Sequence, residues 1–122
     1  MQNVLVVDDD QSILQLISDA LASDYQVFTA ETVPDADAIT QQHAIDLLIA
    51  DLVIPEKNGI DMIMEFRKRY PDMQILAISG GGGITGRFDY LPIARLVGAA
   101  DTLKKPFSII ELRDKVRSLI KQ

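Results

Sequence analysis

The run Val4-Leu5-Val6-Val7, closed by Asp8-Asp9-Asp10, and its counterpart Leu47-Leu48-Ile49-Ala50, closed by Asp51, decide the fold. Four consecutive apolar residues without polar alternation are the pattern of a strand buried on both faces. Similar runs recur at Gln26 to Thr29, Ile75 to Ile78 and Thr102 to Lys104, the first and last of these three being the least apolar. Between the runs lie segments with helical spacing. Ser12 to Ala22 carries Ile13, Leu14, Ile17 and Leu21, with Asp10 placed to cap its free N–H groups. A second helix is expected from about Pro34 to Gln42, and a third from Ile60 to Arg69, punctuated by Asn58-Gly59 and Pro71. A fourth is expected from about Asp89, because Pro92 is tolerated in a first helical turn. A fifth follows the capping box Ser108/Glu111 and shows the stripe Leu112, Val116, Leu119, Ile120.

Five strands, each followed by a helix, predict an α/β fold: a doubly wound, five-stranded parallel sheet flanked by five helices, because crossovers between parallel strands are right-handed. Residues 1–122 read as one domain, with no linker or repeat. Eighteen acids against twelve Lys and Arg leave a net charge of −6, the wrong sign for gripping a phosphate backbone, so direct nucleic-acid binding is not expected. The absence of cysteine excludes disulfides, thiolate metal sites and a cysteine nucleophile. Met1-Gln2-Asn3 lacks the basic leader of a secretory signal, and no apolar stretch approaches bilayer length; a soluble, cytoplasmic protein without membrane insertion is expected.

Ligands of open parallel sheets bind beyond the carboxyl ends of the strands. There the first strand delivers Asp8-Asp9-Asp10, the third Asp51, the fourth Ser79 with Gly80 to Gly83, and the fifth Lys104-Lys105-Pro106. Converging carboxylates either raise a pKa or recruit a cation, and a hard oxygen donor set suits Mg²⁺. A metal that neutralises this charge would let a carboxylate, Asp51 by preference, attack phosphorus, with the Ser79 hydroxyl and the Lys105 ammonium as donors to the transferred oxygens. Asp8, Asp9 and Asp10 alone are compatible with helix capping and Asp51 alone with a loop acid; it is the conjunction of four strand ends that points to phosphoryl chemistry. The glycine run lacks a Walker lysine and reads as a flexible loop.

These residues resemble a response-regulator receiver domain, over nearly the whole chain: Val4 to Asp10, Asp51-Leu52-Val53-Ile54-Pro55-Glu56-Lys57-Asn58-Gly59, and Lys105-Pro106-Phe107. The resemblance implies a flavodoxin-like fold and Mg²⁺ held by Asp8, Asp9, Asp51 and the backbone carbonyl of Val53. It implies Asp51 as phosphoacceptor, and Ser79, Gly80 and Lys105 as phosphate-binding and switch positions. Lys105 rather than Lys104 matches because it directly precedes Pro106; Lys104 is expected in solvent. A histidine kinase or histidine phosphotransfer protein would be the donor, and the domain would be regulatory, assisting only its own phosphorylation and autodephosphorylation. Output would run through the surface of the fourth helix, fifth strand and fifth helix.

One position departs from the family pattern: Thr102 stands where receivers usually carry the switch aromatic. Tyr90 or ordering of the glycine-rich loop are the candidate substitutes. A phosphorylation-independent interaction module is the alternative function. A haloacid-dehalogenase-like phosphohydrolase is disfavoured, since Val53 occupies the place of its second acid. His43 is assigned no role, Met62, Met64 and Met73 read as core filling or helix surface, and Arg87 and Phe88 as an ordinary loop. Lys115, Arg117 and Lys121 complement the dipole of the last helix. The chain is either a stand-alone receiver or the receiver portion of a longer protein.

Overall fold

The computed structural model describes residues 1–54, 57–79 and 91–120. The elements are β1 (Asn3–Val7), α1 (Gln11–Leu21), β2 (Gln26–Ala30), α2 (Val33–Gln42), β3 (Leu47–Asp51), β4 (Val53–Ile54), β5 (Lys57–Asn58), α3 (Gly59–Arg69), β6 (Gln74–Ser79), α4 (Leu91–Val97), β7 (Asp101–Lys104) and α5 (Ile109–Leu119). Five parallel strands form one sheet in the order β2-β1-β3-β6-β7. The chain therefore moves outward in one direction from β1 to β2 and in the other from β3 onward. That reversal between β1 and β3 leaves a crevice at their carboxyl ends.

The expected strands and helices are present with shifts of one or two residues at most of the ends. The expected start of the fourth helix at Asp89 lies outside the described residues, as do Gly80 and Tyr90. Pro92 falls in the first turn of α4, where its missing N–H costs no helical bond. Asp10 caps α1 by accepting from Ser12 N at 2.9 Å, and Ser108 with Glu111 forms the capping box of α5. One element was not anticipated: β4 and β5 form a two-residue antiparallel ladder, Val53 opposite Asn58. Strands this short carry no readable alternation.

Alternate residues of each strand feed two cores. Leu5, Val7, Leu48, Ala50, Ile75 and Ala77 pack with Met62, Ile63 and Phe66 of α3 and with Ala94 of α4. Val4, Val6, Leu47, Ile49, Leu76 and Ile78 pack with Leu14 and Ile17 of α1 and with Leu112 and Val116 of α5. Met62 and Met73 are core residues and Met64 is exposed, as expected of filling and surface positions. Residues at the ends of β1 and β3 are thus clamped from both faces.

Gly59 fixes how α3 leaves this clamp. A Cβ there would lie 2.4 Å from Leu52 Cα and 2.8 Å from Asp51 O, and both obstacles are backbone. Gly59 N donates to Leu52 O at 3.1 Å across the same approach. Gly59→Ala should therefore destabilise the fold by about 3 kcal/mol through overpacking that no rotamer relieves, measured as a lowered midpoint in urea unfolding.

Candidate functional site

Asp8, Asp51 and Ser79 are the buried polar or charged residues of the described chain, and all three lie at the carboxyl edge of the sheet. Asp51 is the last residue of β3 and Ser79 the last of β6, while Asp8 immediately follows β1. Each is held by its strand's neighbour: Asp8 N donates to Ala30 O at 3.1 Å, Leu52 N to Ile78 O at 2.9 Å, and Lys105 N to Ser79 O at 2.7 Å. The backbone ladder is thus continued one residue past each strand. Lys105 leads into a cis Lys105–Pro106 peptide.

The Lys105 ammonium donates to Asp8 Oδ2 and to Asp51 Oδ2, both at 2.9 Å. Asp8 Oδ1 accepts from Asp10 N at 2.9 Å, so both Asp8 oxygens have donors. Asp9, exposed, offers a third carboxylate: oxygens of Asp8, Asp9 and Asp51 lie within 4.8 Å of one another. Three carboxylates face one ammonium, a formal surplus of two negative charges in a largely buried site.

Burial dominates the titration of the site. Burial pushes the Asp8 carboxyl from 3.8 up to about 6, and the nearby Asp51 charge pushes the same way; the donated bonds from Asp10 and Lys105 oppose the rise without cancelling it. The Lys105 ammonium goes up as well: burial opposes its charge, but hydrogen bonds to Asp51 and Asp8 outweigh that. The pair is consistent, because Lys105 has two carboxylates while Asp8 must share its only cation with Asp51. A divalent cation would cancel a surplus of two, and the all-oxygen donor set is that of a hard ion such as Mg²⁺.

Val53 lies in β4, two residues past Asp51, and Gly80 is outside the described residues. Thr102 lies in β7 opposite Ala77, on the strand that delivers Lys105. Lys104 is exposed, as expected. The Tyr90 and glycine-loop substitutes, Arg87 and Phe88 fall outside the described residues. His43 is exposed but not idle: its ring stacks on Phe28, centroids 4.4 Å apart.

Sequence reasoning overlooked Asp101. Its Oδ1 accepts from Arg95 of α4 at 2.8 Å and from Thr102 N at 2.8 Å, and its Oδ2 from Lys115 of α5 at 3.2 Å. Lys115 therefore faces β7, beyond any complement to the helix dipole. Three successive elements, α4, β7 and α5, meet at this carboxylate, and no local motif announces that. Among the described residues, no helix is long and apolar enough to cross a membrane.

A family model described as the response regulator receiver domain matches residues 4–117. The alginate biosynthesis transcriptional regulatory protein AlgB of Pseudomonas aeruginosa is 33% identical over 90% of this chain, and the transcriptional regulatory protein KdpE of Staphylococcus aureus is 33% identical over 93%. The chain spans only 24% and 48% of those two relatives. Among solved structures, the receiver domain of NtrX from Brucella abortus superposes with a TM-score of 0.88 at 26% identity, covering 98% of both chains. The beryllofluoride-activated NtrC4 receiver domain dimer gives 0.86 at 28% identity, covering 98% of this chain and 96% of the other.

The raised Asp8 pKa fixes a sign. Between pH 3.8 and about 6 the folded protein holds a proton that the unfolded chain has released, so stability falls as pH rises through that window and levels off above it. Without divalent metal, the fall should be about 3 kcal/mol. Urea unfolding in EDTA from pH 4 to 7 should show it, and Asp8→Asn should flatten it.

Proposed function

Because the chain belongs to the response regulator receiver family, we propose that Asp51 is the residue through which it is switched, accepting a phosphoryl group from phosphohistidine. Receiver domains are the regulatory modules of two-component response regulators, and phosphorylation of an aspartate is their general mechanism. The observation that supports Asp51 here is its position: an acid at the end of a central strand, nearly buried, engaged by Lys105 and adjoining two further carboxylates.

In this reading an Asp51 carboxylate oxygen attacks phosphorus, the P–N bond of the donor breaks, and the imidazole leaves as it takes up a proton. Asp8 and Asp9, together with Asp51 and the Val53 carbonyl, would hold Mg²⁺. When bound, the ion supplies positive charge against the incoming phosphoryl oxygens. Lys105, already within 2.9 Å of Asp51, turns its ammonium to a phosphoryl oxygen, and the Ser79 hydroxyl, at the end of the neighbouring strand β6, donates to another. Gly80, next in the sequence after Ser79, is the remaining phosphate-binding position. Water later hydrolyses the acyl phosphate and resets the site.

The donor is a histidine kinase or histidine phosphotransfer protein, and the domain, residues 1–122, works in the cytoplasm as a regulatory phosphoacceptor, assisting only its own phosphorylation and dephosphorylation. Movement of Lys105 and Ser79 toward the phosphate is passed along β7 and biases the surface of α4, β7 and α5. The non-aromatic Thr102 on that strand requires a relay other than the ring that receivers usually carry.

Incubation with acetyl phosphate and Mg²⁺ should add one phosphoryl group by intact mass. The adduct should vanish with EDTA or in Asp51→Asn, and Lys105→Ala should retain the adduct while losing its effect on partner binding. A folded protein that takes no phosphoryl group from acetyl phosphate or phosphohistidine donors would instead be a constitutive docking module.

A further inference from the structure

Asp10 completes the run Asp8-Asp9-Asp10 but is not one of the three acids whose oxygens gather within 4.8 Å. α1 holds it by three hydrogen bonds. Its Oδ1 accepts from Ser12 N at 2.9 Å, and its carbonyl oxygen accepts from Ile13 N and Leu14 N, both at 3.1 Å. Its backbone is extended, at φ −92° and ψ 109°. The helix that fixes it is itself anchored, because Leu14, Ile17 and Leu21 are buried in the core that Val4 and Val6 of β1 share.

The Asp10 N–H points the other way and donates to Asp8 Oδ1 at 2.9 Å. Asp8 is buried, and two donors orient its carboxylate: Lys105 Nζ on Oδ2 and Asp10 N on Oδ1, each at 2.9 Å. The two differ in kind. A lysine ammonium rides on a flexible four-carbon stem, and in the phosphoacceptor reading it turns to a phosphoryl oxygen. The Asp10 amide is backbone, tied through its own cap to a helix in the core, and it keeps hold of Asp8 after Lys105 has turned away.

We propose that Asp10 is a positioning residue for the divalent-cation site: by capping α1 it keeps its N–H on Asp8 Oδ1, and so keeps the Asp8 carboxylate turned as a cation needs it. Asp9, between these two fixed residues in the chain, is steadied by the same cap. The Asp10 carboxylate works through the cap and not through charge or coordination. The inference rests on the reading of Asp8, Asp9 and Asp51 as Mg²⁺ ligands and adds a residue that acts through one of them. Ligands already oriented spare the cation the cost of ordering them, and the groups that orient them commonly matter about tenfold or more for metal affinity.

Calorimetric titration of the full chain with Mg²⁺, in about 0.15 M salt to screen exposed charge, tests this. Asp10→Ala and Asp10→Gly remove the capping side chain, and each should weaken Mg²⁺ binding about tenfold. Glycine at a cap costs a helix less than alanine does, so Asp10→Gly gives the reading if Asp10→Ala does not fold. Asp10→Asn keeps a capping oxygen without the charge and should stay within about twofold of wild type. Thr32→Ala removes the cap of α2, where Thr32 Oγ1 accepts from Asp35 N at 3.2 Å, and should leave Mg²⁺ binding unchanged. Amide exchange in EDTA, followed by NMR, reads the bond without metal: the residue-10 N–H should be protected in wild type and Asp10→Asn and should exchange faster in the alanine and glycine variants. Asp10→Asn as weak as Asp10→Gly, Asp10→Gly as tight as wild type, equal weakening by Thr32→Ala, or an unprotected residue-10 N–H in wild type would each overturn the proposal. Wild type that binds no Mg²⁺ removes the metal reading and this inference with it, whereas any of those four results beside wild-type Mg²⁺ binding removes this inference alone.

Discussion

A single ammonium group lies 2.9 Å from each of two buried carboxylates, and the strand order has to bring three strand ends together for that to happen. Asp8 and Asp51 come from adjacent strands, β1 and β3, and Lys105 from β7 at the end of the sheet beyond β6. Neither acid could be buried with its charge uncompensated. The arrangement is also incomplete on its own terms, because one positive charge faces three negative ones. Burial, with the Asp51 charge adding to it, keeps the Asp8 carboxyl near a pKa of 6, and three carboxylates on one edge suit a divalent cation.

Two hydrophobic layers make this edge rigid. Successive residues of β1 face opposite helices, Leu5 and Val7 one way, Val4 and Val6 the other, so the strand cannot slip by one residue without exchanging its two faces. Asp8 inherits that registration. Asp51 receives its own from β3, whose residues are all buried, and Gly59 passes tightly over the backbone of Leu52 and Asp51.

How much of this could be read beforehand depended on the range of the signal. Val4 to Val7 and Leu47 to Ala50 announce doubly covered strands within four residues, and Asp10, Ser108 and Glu111 announce their caps within three. The meeting of Asp8, Asp51, Ser79 and Lys105 on one edge was legible because each ends or directly follows a strand, with Asp9 one residue further on, and parallel strands place those ends together. Asp101 was not legible, since its partners Arg95 and Lys115 lie on helices before and after it and meet only in three dimensions. The β4/β5 pair and the His43–Phe28 stack escaped for related reasons: one is too short to show a period, the other joins a helix cap to a strand.

That stack bears on a hazard every open sheet faces. β2 and β7 are the end strands, and an end strand invites pairing with a strand from another molecule. On β2 the most adhesive side chain, Phe28, is shielded by the His43 ring. On β7 the strand is only four residues long and its first acid is gripped by cations from both flanking helices. The same contacts that shape the two margins of the molecule therefore discourage it from polymerising edge to edge at the concentrations a signalling protein reaches in a crowded cell.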